Sequence, residues 1–398
     1  MAPRGKLSKL TAPMDHLDHT ERHPKVVFIF DRVMHYHQDL FRQLQARLEN
    51  RGIELHLLSG RSAEQEFGRS ALENQVIPNE RKFLLQDRRL GNHVFRLALG
   101  YVSMIRDLRP QVVVCPAHPG DLGHWSLVAL KRVLGFRLVA WQCGYEYNPG
   151  RAKRILLRMF VPGFNFHLAY HGNARRYALE NGSPEAQIRV MHNTINEKRF
   201  TITRKEEARE KLGQRHPELR KRRIVLYVGA ILKEKKIEQI FEAMAQLNDP
   251  HAVLVVVGDG PHLPALKKAA ADRDDVLLVG QVIDDVGLYF DSAEVYVLPG
   301  TGGLGINEAM AHSLPIISGY ADGSADDLVI DGENGYRLRD GGIDELHDRI
   351  ARILNDPATA ARMGVKSHEW ITGRFSFQNF LDQVEECLVQ QIGKIGSV

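Results

Sequence analysis

The sequence predicts an α/β protein of two tandem domains, each built on a parallel, doubly wound sheet. The chain has 398 residues, which is more than one ordinary hydrophobic core accommodates. Short apolar runs alternate with amphipathic helical patterns in both halves, as in sheets that are buried on both faces. A charged stretch at 196–223 separates the halves. We therefore expect a first domain at 24–200, a linker at 201–222, a second domain at 223–375 and a terminal helical segment at 376–398.

The first half begins with a βαβ unit. The apolar run Val26–Phe30 predicts a buried strand, and the next apolar residues recur with the period of a helix that ends near Gly52. The strand IELHLLS follows directly. Further elements are a strand at Gln111–Cys115, a helix at Trp125–Leu134 and a strand at Phe136–Trp141.

The second half alternates more regularly. Its predicted strands lie at 224–229, 252–258, 276–280, 295–299 and 315–319, and its helices at 236–247, 263–271, 284–292 and 304–313. A last helix, at about 376–391, carries apolar residues on one face only, so it needs a partner surface.

Composition excludes several classes of protein. The net charge of +4 comes from scattered basic residues, which does not favour nucleic-acid binding. Three widely spaced cysteines predict neither a disulfide framework nor a zinc site, and they fit a reducing, cytoplasmic compartment. Residues 1–23 are polar and read as a disordered leader, and no apolar run approaches the roughly 20 residues that span a bilayer.

One glycine-rich loop carries the strongest functional signal. It runs from Pro299 to Leu304, between a buried strand and a helix, and Glu308 lies about one turn inside that helix. Glycine lets the backbone approach a phosphate closely, and a helix N-terminus offers unpaired N–H groups. A carboxylate at Glu308 can accept two hydrogen bonds from a ribose diol. The alternative is a tight turn followed by an exposed glutamate.

Other loops follow neighbouring strands of the same predicted sheet. Lys233 and Lys235 follow the first strand and are candidates for neutralising a diphosphate, although lysines in a loop are commonly just solvated. Gly258 belongs to a turn that shapes the crevice. Gly280 and Val282, after a further strand, are candidates for contacting a flat base.

The ordered segments VGAILKEKKIEQIFEAM, VVVGDGP, VLLVGQV, LPGTGGLGINEAMAHSLPIISG and DDLVIDGENGYRL resemble glycosyltransferase family 4 over roughly residues 220–375. The resemblance implies a GT-B fold, a UDP- or GDP-linked sugar donor and retention of anomeric configuration. It implies that Lys235 binds the diphosphate and that Glu308 binds the ribose. The backbone of Gly302, Gly303 and Leu304 would meet phosphate and sugar, with Asn307 beside them. The last helix would cross back to the first domain.

Two departures from the family pattern stand out. The family usually has a glutamate eight residues before Glu308, where this chain has Gly300, and an arginine where it has Ala230. These departures leave open a non-catalytic nucleotide-sugar-binding relative. A sugar-nucleotide epimerase on the same fold is the other alternative. A nicotinamide dehydrogenase is disfavoured, because neither first strand leads into a GxGxxG.

The first domain is expected to supply the acceptor side, through the loops Asp31–His37, Ala117–Trp125 and Gln142–Asn148. Its candidate residues are Asp31, His35 and Tyr36. By resemblance, His118 contacts the donor sugar in the transition state, with His124 as the alternative. The acceptor is a glycan, a lipid-linked sugar or a small molecule. No metal is expected, because the leaving phosphate can take the acceptor proton.

One helical pattern, beginning at Arg151, interleaves basic and apolar residues. It fits either a helix lying on an anionic membrane or, as the simpler interpretation, an ordinary helix whose basic face meets water. We expect at most weak association with the inner face of a membrane. The sequence leaves the oligomeric state open.

Overall fold

The computed structural model describes residues 23–61, 75–90, 93–144, 150–319 and 323–395. The expected leader therefore lies outside the described residues except for His23, and so does most of the candidate loop Gln142–Asn148.

The first domain contains an α/β sheet with helices on both faces. Its strands are β1 (Lys25–Phe30), β2 (Glu54–Arg61), β3 (Glu80–Leu90), β4 (His93–Leu99), β5 (Val112–Pro116), β6 (Arg137–Gln142), β7 (Phe166–Ala169) and β8 (Ile188–Val190). Its helices are α1 (His37–Glu49), α2 (Tyr101–Leu108), α3 (Leu122–Leu134), α4 (Arg151–Phe160) and α5 (Gly172–Glu180). In the described part of the chain the spatial order is β4-β3-β2-β1-β5-β6-β7-β8. Neighbours are parallel except β3 and β4.

The central strand β1 shows why the sequence forms this sheet. Successive side chains of a strand point to opposite faces. Val26 and Phe28 belong to one apolar cluster and Val27 and Ile29 to another, because helices cover both faces. An uninterrupted apolar run is what a strand buried on both sides requires.

The second domain has a six-stranded sheet within the described residues, parallel throughout, in the order β11-β10-β9-β12-β13-β14. Its strands are β9 (Arg223–Val228), β10 (Ala252–Val257), β11 (Val276–Gly280), β12 (Val295–Leu298), β13 (Ile316–Ser318) and β14 (Gly335–Arg337). Its helices are α6 (Lys205–Arg215), α7 (Ile237–Leu247), α8 (Leu263–Ala269), α9 (Gly287–Ser292), α10 (Gly305–Ala311), α11 (Ser324–Leu328), α12 (Ile343–Asn355) and α13 (Pro357–Thr372).

Helix α14 (Phe377–Gly393) returns to the first domain. Phe377, Phe380 and Leu388 are buried in the apolar cluster that also contains Phe28 and Trp141. The amphipathic face that needed a partner thus finds one on the first sheet, and the expected return of the last helix is confirmed.

Residues 201–222, expected to form a solvated linker, pack against the second domain. Leu212 of α6 and Leu219 lie in the core of the second domain. Arg209 of α6 also forms an ion pair with Glu294, with 2.6 Å between Nη2 and Oε1. The charged stretch is therefore a helix with one buried edge rather than a fully solvated linker.

The two domains touch along the carboxyl edges of their sheets. Helix α5 begins just after β7, and its first N–H group, at Gly172, donates a hydrogen bond of 2.9 Å to Asp327 on α11 of the second domain. His192 lies 3.2 Å from the same carboxylate.

Within the described residues, every helix is too short or too polar to cross a bilayer.

Candidate functional site

The second sheet has a topological switch point between β9 and β12. The strand order reverses there, so the loops leaving the carboxyl ends of β9 and β12 diverge and leave a crevice between them. The first loop contains a 3₁₀ turn at Lys233–Lys235, and the second runs from Pro299 to Leu304. Both loops predicted from the sequence to bind the donor therefore lie side by side.

The two loops are held together through backbone groups. The Thr301 N–H donates a 3.0 Å hydrogen bond to the Glu234 carbonyl. The Lys235 ammonium donates to the carbonyls of Thr301 and Gly302, at 2.8 and 3.0 Å. The cation is thus fixed over the glycine-rich loop while remaining at the protein surface. Lys233, at the start of the same turn, is exposed to solvent.

The close approach of the loops explains Gly300. A Cβ atom at this position would lie 2.1 Å from the Glu234 carbonyl oxygen and 2.6 Å from the Lys235 Cα. No side chain fits between those backbones. The glutamate that the family pattern places here is therefore excluded sterically as well as replaced, because the turn carrying Lys235 occupies its space.

Gly303, by contrast, has room around it. A Cβ at Gly303 would meet only the Lys235 ammonium, at 3.9 Å, and Gly303 is exposed. Gly302 and Leu304 are half-buried, and Leu304 is the N-cap of α10. This backbone is accessible beside a lysine, which suits an anionic group.

Glu308 lies on the first turn of α10 and is half-buried. Burial raises the pKa of its carboxyl group, and the charges of His312 and Arg199 partly oppose that shift. Among the described residues no group donates a hydrogen bond to the carboxylate, whereas the neighbouring Asn307 amide donates to Thr194 Oγ1 at 3.2 Å. A desolvated carboxylate without a donor is costly unless a ligand supplies one.

Asn307 is placed differently from the prediction. Its side chain is buried and turned toward Thr194, in the segment that joins the domains. It therefore ties α10 to the first domain instead of facing the crevice.

Gly258, Gly280 and Val282 line the neighbouring strand ends. A Cβ at Gly258 would lie 1.9 Å from the Gly229 carbonyl oxygen, and the Gly258 N–H donates to the Gly280 carbonyl at 2.8 Å. Gly258 thus permits close packing of two loops, as expected of a residue that shapes the crevice. Gly280 has a φ of +85° with open space around it, and Val282 is half-buried against the core.

The first sheet has its own switch point, between β1 and β5. His35 and Tyr36 follow β1, with their rings 5.4 Å apart, and Asp31 is half-buried at the end of the strand. Desolvation and the charge of Arg199 lower the pKa of His35. His118 follows β5 and is exposed. The acceptor-side candidates therefore share one edge of the first sheet.

The alternative histidine, His124, is unsuited to contacting a substrate. It is buried in α3, and its Nδ1 lies 3.4 Å from the His118 carbonyl oxygen. The structure thus favours His118 of the two.

Arg199 was not predicted from the sequence. It lies in a 3₁₀ turn at Glu197–Arg199 that contacts α10, and its Nε is 3.6 Å from Asp39 of α1. Its charge acts on both His35 and Glu308, so it stands between the two domains. It belongs to no recognisable motif, and only folding brings it to the site.

In the described part of the chain, no group of three or more His, Cys, Asp or Glu side chains is arranged to hold a metal ion.

Comparison with known proteins places this geometry in context. Residues 208–370 match the family model described as Glycosyl transferases group 1. The sulfoquinovosyl transferase SQD2 of Arabidopsis thaliana is 27% identical over 48% of this chain and 39% of its own length. The alpha-D-kanosaminyltransferase of Streptomyces kanamyceticus is 31% identical over 46% of this chain and 48% of its own. The chain thus matches about half the length of these curated relatives or less.

Similarity to solved structures extends over both domains. HepE of Anabaena in complex with UDP superposes with a TM-score of 0.71 at 17% identity, covering 92% of this chain and 100% of that one. The sucrose-phosphate synthase of Thermosynechococcus elongatus gives 0.70 at 21% identity, covering 93% and 99%. The structural matches confirm the GT-B fold. The family model and the curated relatives confirm the resemblance to glycosyltransferase family 4.

Proposed function

We propose that this chain, a GT-B protein resembling glycosyltransferase family 4, transfers a hexose-type sugar from a nucleoside diphosphate to an acceptor hydroxyl. We further propose that transfer retains the anomeric configuration and needs no metal ion. The observation that carries the proposal is the Glu308 carboxylate, on the helix that follows the loop held by Lys235. It is desolvated, and no described residue donates a hydrogen bond to it.

Donor binding follows from the groups already in place. The two ribose hydroxyls would donate to the Glu308 carboxylate, supplying hydrogen bonds that the described residues do not. Hydrogen bonds to a charged group away from water are stronger than ordinary ones. The diphosphate would lie against the backbone of Gly302, Gly303 and Leu304, beside the Lys235 ammonium. Gly258, Gly280 and Val282 would border the base.

The transfer step needs no dedicated general base from the protein. The bond between the anomeric carbon and the diphosphate oxygen breaks, and its electron pair stays on that oxygen. The acceptor oxygen forms the new bond on the same face of the sugar and passes its proton to the leaving phosphate. Lys235 and the start of α10 stabilise the growing negative charge. His118, exposed on the opposite edge, would contact the donor sugar.

The acceptor would be bound by the first domain, through Asp31, His35 and Tyr36. We propose a glycan or lipid-linked acceptor and a role in polysaccharide or glycolipid biosynthesis, in a cytoplasmic protein that associates weakly with a membrane face. In support, a similar mycobacterial protein is named a GDP-mannose-dependent phosphatidylinositol monomannoside mannosyltransferase. The HepE structure holds UDP. UDP and GDP are therefore the donor nucleotides to test first.

A thermal-shift screen against UDP, GDP, ADP and dTDP, with and without magnesium, tests the proposal. A ligand present at about 100 times its dissociation constant stabilises the native state by about 2.7 kcal/mol. We expect a shift with one nucleotide that magnesium does not change. No shift with any of the four would contradict donor binding. Binding without turnover on any acceptor would favour a non-catalytic relative, and release of free sugar without an acceptor would favour an epimerase.

A further inference from the structure

Helix α4 is attached to the first domain by one narrow face. Its buried residues are Leu157 and Phe160, and the other positions of the helix are exposed. Phe160 packs against Trp125 of α3, with 4.7 Å between the ring centroids. An ordinary amphipathic helix would turn all of its large apolar side chains toward that contact.

Instead, three large apolar side chains of α4 point to solvent. Ile155 is 64% exposed, Leu156 42% and Met159 65%. They are neighbours on the helix surface, since positions i and i+4 lie one above the other. Single exposed apolar residues are common, but a cluster of three on one short helix marks an interaction surface.

A basic stripe runs beside the apolar one. Arg151, Arg154 and Arg158 recur at spacings of three and four residues, which places them together on the adjacent face. All three are exposed, and the sequence of α4 contains no acidic residue. The helix therefore presents an apolar stripe and a positive stripe side by side.

We propose that this surface of α4, formed by Ile155, Leu156, Met159 and the three arginines, docks on an anionic lipid membrane. The apolar side chains would enter the boundary between headgroups and acyl chains, and the arginines would pair with anionic headgroups. A neutral or acidic protein groove would match the apolar stripe, but charge complementarity favours a surface of many negative groups.

The position of α4 connects docking with the acceptor. Its first residue lies nine positions after Gln142, the last residue of β6, and the carboxyl end of β6 belongs to the same sheet edge as His118 and the β1 loop. A membrane in contact with α4 would thus lie near the acceptor side of the cleft. Resting on the proposed transfer function, this arrangement assigns the acceptor to the lipid-anchored class.

Cosedimentation of the full chain with vesicles tests the docking without any nucleotide. We expect binding to vesicles of phosphatidylcholine with phosphatidylglycerol, and much weaker binding to pure phosphatidylcholine. Added salt should weaken it. Arg154→Gln/Arg158→Gln should reduce the partition coefficient roughly 30-fold, at about fivefold for each basic residue near the surface. Ile155→Ser/Met159→Ser should reduce it further at high salt, where only the apolar contribution remains.

Matched controls lie on the second domain. Val365, 57% exposed on α13, and Lys267 with Lys268 on α8 offer the same chemical changes away from α4. Val365→Ser and Lys267→Gln/Lys268→Gln should bind vesicles as the wild type does. Circular dichroism melting checks that each variant is folded.

Three results would overturn the proposal. They are absence of binding to anionic vesicles, equal losses in the controls, and a change of molar mass in solution when Ile155 and Met159 are replaced, which would show that a second copy covers α4. Thermal shifts with nucleotides distinguish a failure of the docking proposal from a failure of the donor-binding proposal. A normal shift without vesicle binding rejects docking alone, and vesicle binding without any shift rejects the donor site alone.

Discussion

The two carboxyl edges that face each other in this protein share an architecture but differ in the groups they present. At the edge of the second sheet, backbone atoms of two loops meet, with Gly300 wedged between Glu234 and Lys235. At the edge of the first sheet, the loops after β1 and β5 present the side chains of His35, Tyr36 and His118. At the second edge, the fit of the two loops depends on positions where no side chain can be accommodated. The first edge is defined by the side chains that its loops present.

This difference decides how each site tolerates change. A backbone site depends on a few positions where a single added carbon causes a clash, and its glycines lie at fixed spacings. A side-chain site can be rebuilt by exchanging residues on loops whose backbone stays the same. We therefore expect substitutions at the second edge to affect donor binding in any context, and those at the first edge to affect the choice of acceptor.

The largest expected effect on the donor edge is that of Lys235→Ala. The substitution removes the cation beside the leaving diphosphate, so turnover should fall about a hundredfold or more, as when one stabilising donor is lost. Steady-state kinetics measure it. Lys233→Ala is the matched control, because Lys233 is exposed on the same turn, and it should retain nearly full activity. If the two variants exchanged these results, Lys233 would be the residue that binds the diphosphate.

Gly300→Ala compared with Gly303→Ala tests the exclusion of side chains directly. The first places a Cβ 2.1 Å from the Glu234 carbonyl oxygen, whereas the second places one 3.9 Å from the Lys235 ammonium, in ordinary van der Waals contact. Overpacking of this kind costs about 1–3 kcal/mol. Chemical denaturation should show that loss for Gly300→Ala and a much smaller change for Gly303→Ala. Equal stabilities would mean that the loops can separate without cost.

Much of the second domain could be predicted from sequence, because buried strands and tight backbone turns each require a recognisable local sequence pattern. The strand Val276–Gly280 and most helix positions agree with the prediction to within a few residues, since buried parallel strands are uninterrupted apolar runs. The β3–β4 hairpin, at one edge of the described sheet, was missed because charged residues interrupt its apolar pattern. The short strands β7 and β8 also escaped prediction.

Two side chains near the site, Asn307 and Arg199, could not be placed from the sequence. Asn307 was assigned to the donor from its place in a motif, but its amide turns to Thr194, more than a hundred residues away along the chain. Arg199 lies in a charged stretch with nothing to distinguish it from its neighbours. Contacts between residues distant in sequence leave no local pattern, so these two roles became visible only in the fold.

Glu308→Gln is expected to change binding and stability in opposite directions. Burial raises the pKa of Glu308, so ionisation of this carboxyl group disfavours the folded state, and that cost is lost as pH falls through the raised pKa. The neutral amide should therefore raise the melting temperature of the free protein. Nucleotide affinity should drop about 10- to 100-fold, because hydrogen bonds to a charged acceptor are lost. A lower melting temperature would mean that the carboxylate is stabilised in the native protein.

His118→Ala compared with His124→Ala sharpens the description of the first edge. His118 is exposed and His124 buried, so the first should lower turnover about tenfold or more while leaving the melting temperature unchanged. The second should lower the melting temperature, because it leaves a cavity in the α3 packing. Activity and melting curves of both variants distinguish the roles. A large loss of stability in His118→Ala would make it a structural residue.

The smallest expected effect is that of replacing Arg199, whose charge acts on a residue of each edge. The charge of Arg199 opposes the raised pKa of Glu308, together with that of His312, which follows α10 directly. Arg199→Gln should raise that pKa further. If the ionised carboxylate binds the ribose, nucleotide affinity falls when the carboxylate becomes protonated. On acidification, the affinity of the variant should therefore begin to fall at a higher pH than that of the wild type, whereas affinity at alkaline pH should change little. Arg199→Lys should restore the wild-type profile, and Lys198→Gln, which removes an equal charge from the same turn, should not shift it. Calorimetric titrations with the nucleotide over a series of pH values measure the difference. An unchanged profile would assign Arg199 to the contact with Asp39 alone, and the two edges would then be electrostatically independent.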